Sequence, residues 1–109
     1  MTVVSVLQMP VRAGKEQQLA AAYETLEIFG RARESGGFRG GRLLQPLTAG
    51  EPFLVVAEWD EPAAYERWLD SPARAELGRH LEPLLDGDLE AAIYETVVQA
   101  DVREGKTPV

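Results

Sequence analysis

His80 is the single histidine among the 109 residues, and histidine is the side chain whose ordinary pKa lies nearest neutrality. It stands in the run PARAELGRHL, where leucines recur at helical spacing. There it could take a proton from a phenol as a general base, or sit at the edge of the core with a hydrogen-bond partner. On a helical wheel His80 lies at the edge of the Leu77, Leu81 and Leu84 stripe. Arg79 lies on the other side, and Gly78 could break that phase. Trp59 closes the run FLVVAEW. Its indole N–H could hold a substrate oxygen, or the ring could simply fill core. Tyr65 and Trp68 share a helix face, and Trp68 reads as core. With one histidine and no cysteine, a single chain can build neither a two-His-one-carboxylate nor a three-His nor a cysteine metal site. No metal is expected. The acidic residues Glu16, Glu24, Glu27, Asp86 and Asp88 read as solvated, with no pair placed for carboxylate chemistry. Gly36-Gly37 and Gly40-Gly41 are not followed by a helix, which excludes a phosphate-cradling loop.

The elements that would position these groups follow from periodicity. Thr2 to Val11 alternates as a first strand, with Val3, Ser5, Leu7 and Met9 on one face and Val4 and Val6 on the other. Lys15 to about Arg33 predicts one amphipathic helix with Leu19, Ala22, Tyr23, Leu26 and Phe29 inward. Ile28 falls off that stripe and is a candidate subunit contact. Phe38 to Leu47 predicts a second strand with a bulge at Gly40-Gly41, joined by a Thr48–Glu51 hairpin to the strand Phe53–Trp59. Asp60 reads as the N-cap of a short helix beginning at Pro62, and Ser71-Pro72 begins a second. Leu89 to Val102 predicts the last strand. The order β-α-β-β-α-α-β is an α+β, ferredoxin-like four-stranded antiparallel sheet with helices on one face. Residues 1–102 read as one domain and residues 103–109 as a polar tail.

Both phases of the first and third strands carry aliphatics, and the helices can cover one face only. A second copy of the chain, sheet to sheet, is the expected cover. A net charge of −7 without a basic face argues against nucleic acid. No apolar run approaches the roughly 20 residues of a membrane span. The opening MTVVSVLQMPV reads as a strand rather than a signal peptide, and the absence of cysteine fits a reducing cytoplasm.

Several stretches resemble the antibiotic biosynthesis monooxygenase domain family over residues 2–102. They are Val11 to Lys15 after the first strand, Gly37 to Gly40, Ala57 to Asp60, and YERWLDS from Tyr65 to Ser71. The resemblance implies a dimeric α+β barrel. Members of that family include cofactor-free quinone-forming monooxygenases, heme-degrading enzymes, aldolase-like signal-processing proteins and many proteins of unknown role. The heme-degrading branch uses an asparagine, a tryptophan and a histidine, and these positions fall on Leu7, Trp68, and Leu77 or Gly78, with His80 late in register. Leucine neither ligates iron nor donates a hydrogen bond, so the resemblance argues against heme degradation. The quinone-forming branch uses a tryptophan, a tyrosine, an arginine and an asparagine, which fall on Trp59, Tyr65, Arg79 and Val55. The resemblance favours Arg79 and the wheel favours His80. Both stand as catalytic candidates beside Trp59 and Tyr65, with Leu7, Val55, Trp68 and Leu77 as a substrate-binding wall.

The expected function is cofactor-independent oxygenation of a small aromatic or polyketide-like phenol by a homodimer. The alternative is a non-catalytic small-molecule-binding or accessory dimer. Cavity size separates them, since a tricyclic phenol needs roughly 300 Å³ or more.

Overall fold

The computed structural model describes residues 1–100. Its elements are β1 (Val3–Met9), α1 (Glu16–Thr25), α2 (Ile28–Glu34), β2 (Phe38–Leu44), β3 (Phe53–Trp59), α3 (Pro62–Leu69), α4 (Pro72–Leu81), a short 3-10 turn (Glu82–Leu84) and β4 (Glu90–Glu95). The sheet order is β2-β3-β1-β4, all antiparallel. This is the ferredoxin-like α+β arrangement expected from the sequence.

The inner sheet face carries Val3, Ser5 and Met9 of β1 and Phe53, Ala57 and Trp59 of β3, all buried. Leu19 and Tyr23 of α1, Ala64 and Trp68 of α3, and Leu77 and Leu81 of α4 close over it. The register pairs Ser5 with Ala57 and Val3 with Trp59. It slips between Phe38 and Gly40, so the bulge lies where the paired glycines placed it. Gly41 is needed at that point, because a Cβ there would lie 2.7 Å from the Phe29 ring. Ser71 caps α4 as expected, its Oγ accepting from the Arg74 N–H at 3.1 Å, with Pro72 in the first turn.

Four expectations need correction. The first helix is two helices, broken at Glu27, which adopts a left-handed conformation (φ 51°, ψ 48°). No glycine or proline marks the break. A straight helix would leave Ile28 off the inward stripe; the break turns it in, to 6% exposure, so it is a core residue and not a surface contact. A left-handed non-glycine residue costs about 1–2 kcal/mol, and burying an isoleucine contributes about 1.5–3 kcal/mol, so the exchange favours the break. Asp60 is not the N-cap of α3. Glu61 occupies that position without a side-chain cap, while Asp60 and Glu58 pair with Arg39 at 3.1 and 3.0 Å. β2 ends at Leu44 rather than Leu47, just short of Pro46, which has no N–H for a ladder. β4 ends at Glu95, opposite Val3, the first residue of β1. Beyond it there is no β1 left to pair with, and Thr96 to Ala100 form no strand. Asp101, Val102 and the polar tail lie outside the described residues. Among the described residues no helix is long and apolar enough to cross a membrane.

Candidate functional site

A cavity of about 130 Å³ lies between the inner sheet face and the helices. β1 contributes Ser5, Leu7 and Met9, and β3 contributes Val55, Ala57 and Trp59. The helical side is Tyr23 of α1, Ile28, Phe29 and Ala32 of α2, Tyr65, Trp68 and Leu69 of α3, and Arg74, Leu77, Gly78 and Leu81 of α4. Phe38 on β2 and Leu85 and Leu89 beyond α4 complete the wall.

Five aromatic rings run through this wall in sequence of contact. Ring centroids are 5.6 Å apart for Tyr23–Phe29, 5.9 Å for Phe29–Phe38, 5.2 Å for Phe38–Trp59 and 5.6 Å for Trp59–Tyr65. All lie within the range where aromatic pairs attract beyond their area of burial. Gly41 makes the run possible, since only a bare Cα lets Phe29 lie over β2 beside Phe38.

Three of the wall's polar side chains, Ser5, Tyr23 and Trp59, already have partners. The Trp59 Nε1–H donates to Ser5 Oγ at 3.0 Å, with both residues buried. That bond satisfies the indole within the fold, so Trp59 offers a ligand its ring and not its N–H. The Tyr23 hydroxyl donates to Met9 Sδ at 3.6 Å, a weak acceptor. Burial pushes the Tyr23 phenol up to about 12, against an opposing pull from the Arg74 charge. Burial also raises Tyr65, less completely, and Arg74 again opposes it. Near neutral pH both tyrosines are therefore O–H donors and not bases. Among the described residues, the Tyr65 hydroxyl and the Arg74 guanidinium make no hydrogen bond or ion pair.

The structure brings Leu7, Val55, Trp59, Tyr65, Trp68 and Leu77 together in this wall. It does not bring Arg79 or His80 there; both are exposed, outside the lining. The helical phase explains this. At roughly 100° per residue, Arg74, Leu77, Gly78 and Leu81 form the inward stripe. The cavity lies on the Arg74–Gly78 edge of that stripe, His80 falls on the opposite edge, and Arg79 points outward. His80, the candidate for taking the substrate's proton, and Arg79, the catalytic candidate favoured by the resemblance, therefore both lie away from the cavity. Arg74, absent from the sequence expectation, is the cation that lines it. Its spacing three residues before Leu77 is the signal that would have found it. Ser5, the lone polar residue in the inward phase of β1, is the corresponding signal for the partner of Trp59.

A model of the antibiotic biosynthesis monooxygenase family matches residues 2–78. A mycobilin-producing heme oxygenase of Mycobacterium tuberculosis is 30% identical over 106 residues, covering 95% of this chain and 94% of that protein. Among solved structures, the heme-degrader MhuD of the same organism, with two hemes bound in its active site, aligns with a TM-score of 0.74 at 27% identity. It covers 91% of this chain and 99% of its own. SnoaB, a cofactor-independent oxygenase of Streptomyces nogalater, aligns with a TM-score of 0.70 at 17% identity over 96% and 98% of the two chains, a likeness of fold.

Proposed function

The chain belongs to the antibiotic biosynthesis monooxygenase family, and on that premise we propose that it oxygenates a small phenolic compound in the cavity between sheet and helices, without a cofactor. The aromatic wall of that cavity is the observation that carries the proposal, since the edge-on Phe38–Trp59 and tilted Trp59–Tyr65 contacts, at 5.2 and 5.6 Å, line it with rings against which another flat ring can pack. The heme chemistry of the relatives does not suit this wall. It holds no histidine or cysteine, Met9 already accepts from Tyr23, and 130 Å³ is far below the space a tetrapyrrole fills.

In the proposed reaction an electron-rich phenol with an open para position loses its hydroxyl proton to water at the solvent side of the cavity. The phenolate reduces dioxygen. The para carbon gains one oxygen atom as a carbonyl, giving a quinone, and the second oxygen leaves as water with the displaced hydrogens. The protein orients the ring, excludes bulk water and stabilises the anionic oxygen, for which the Tyr65 hydroxyl is a free donor. Oxygen uptake above the autoxidation blank, with quinone formation, is expected in the presence of chelator and without flavin or heme. Tyr65→Phe should slow it by roughly 10²-fold or more. His80→Ala should leave both rate and pH profile unchanged. If no phenol supports uptake above the blank, the oxygenase reading fails.

The cavity volume favours a second reading. It is too small for a tricyclic phenol, which fits a non-catalytic binder of a small aromatic compound. Under either reading the outer sheet face, with Val4, Val6, Leu54 and Val56 only half-buried and Tyr94 exposed, is proposed to pair with a second copy. A solution mass of one chain at micromolar concentration would refute the dimer.

A further inference from the structure

We propose that Arg74 is the anchor for an anionic oxygen on a single-ring ligand, so that the cavity selects aryl anions over neutral aryl compounds. The inference rests on the reading that this cavity is the ligand site, and it adds the charge and orientation of the ligand.

Among the described residues Arg74 is the one charged residue in the lining. It is half-buried and, among the described residues, has no ion pair, although acidic residues outnumber basic ones in the chain by 18 to 11. Among the described residues only Arg39 forms ion pairs, so what sets Arg74 apart from the other arginines is its place in the cavity wall. Its backbone N–H is held by the Ser71 cap at 3.1 Å, which fixes its place in the first turn of α4. The other polar groups of the wall divide by availability. Trp59 is bonded to Ser5 and Tyr23 to Met9, so their part of the wall presents rings and methyl groups. Tyr65 and Arg74 are unpartnered, and both are only half-buried. Arg74 lines the cavity together with Tyr23 and Tyr65, and its charge opposes the rise that burial gives both phenols. A ligand then lies with its ring against Trp59 and its anionic oxygen between Arg74 and Tyr65. Size agrees, because an apolar cavity of about 150 Å³ holds benzene, and this one is about 130 Å³.

An anionic oxygen on one ring can be an ionised phenol or a carboxylate, and the experiment separates them without measuring turnover. The probe is 4-nitrophenol, whose phenolate absorbs visible light and whose phenol does not. Bound to the wild-type chain, its apparent pKa is expected to fall by about one unit, a tenfold preference for the anion. In Arg74→Gln the preference should shrink to less than about twofold, and Arg74→Lys should keep part of it. Arg31→Gln, exposed on α2 and outside the lining, removes a charge elsewhere and should keep all of it. The Arg74 side chain makes no bond within the described fold, so its variants should fold, and Arg74→Met serves as a second neutral variant. Displacement of nitrophenolate by benzoate and not by benzamide extends the site to carboxylates. Failure of benzoate, with the pKa shift intact, assigns it to phenolates. Absence of binding, equal affinity for both forms of the probe, or a shift that survives Arg74→Gln overturns the inference. Anion binding without oxygen uptake would sink only the oxygenase reading.

Discussion

Trp59→Ala is expected to lower stability by about 3–5 kcal/mol, the range for removing a large buried aromatic ring. A domain of this size has about 5–15 kcal/mol in all, so the variant should melt far below the wild type. The reason lies in what converges on this residue. Trp59 is 1% exposed, stands at the end of β3 opposite Val3, and touches both Phe38 and Tyr65. Its N–H also supplies the hydrogen bond of the buried Ser5 hydroxyl. Trp59→Phe separates these contributions, because it keeps a ring but leaves Ser5 without its donor, a loss of about 1–3 kcal/mol. Thermal or urea unfolding checks both variants. A Trp59→Ala midpoint within 2 °C or so of the wild type would mean that the cavity wall is not what holds β1 and β3 to the helices.

The second large effect is expected at Gly37. Its φ is +77°, and a Cβ there would stand 2.5 Å from the Cβ of Ala64, a fully buried residue of α3. Gly37→Ala therefore meets two penalties. A side chain in the left-handed region costs about 1–3 kcal/mol, and overpacking against a rigid helix costs a further 1–3 kcal/mol, roughly. The clash falls between two groups that cannot bend away, so α3 must move as a body, carrying Tyr65 and Trp68. The variant should lose about 2–5 kcal/mol and show altered tryptophan emission, since Trp59 and Trp68 both line the cavity. Unchanged stability would show that α3 can slide on β2 at little cost.

The sheet and its helical layer were legible because local signals agree with the fold. Alternation in β1 and β3, the glycine bulge in β2 and the Ser71-Pro72 start of α4 each name their element unaided. The break at Glu27 was not legible, because nothing in Leu26-Glu27-Ile28 disfavours a continuous helix. Only the core's demand for Ile28 explains it, and that demand exists in three dimensions. The end of β4 is similar: Val97 and Val98 have strand character, but pairing stops where β1 begins. At the site, the resemblance and the periodicity together reached the ring-bearing wall through Trp59, Tyr65 and Trp68. They missed the charge. The resemblance pointed to Arg79, and residue type and the edge of the leucine stripe pointed to His80, whereas Arg74 reaches the cavity by phase alone. The hydrogen bond from Trp59 to Ser5 spans 54 residues, a pairing that no local pattern encodes.

That span also governs how the chain is made. β1 lies inside the sheet but is first in sequence, and its neighbours are β3 and β4. β2 and β3 can close on each other as a hairpin within about 1–10 μs once both exist. β1 has no local partner of this kind. During translation at about 5–20 residues per second, some 3–10 s separate the synthesis of Ser5 from that of Trp59. Through that interval Val3, Val4, Val6 and Leu7 form an apolar segment with no sheet to join. The strand that floors the finished cavity is thus open to aggregation, and to chaperone capture, until β3 has been made.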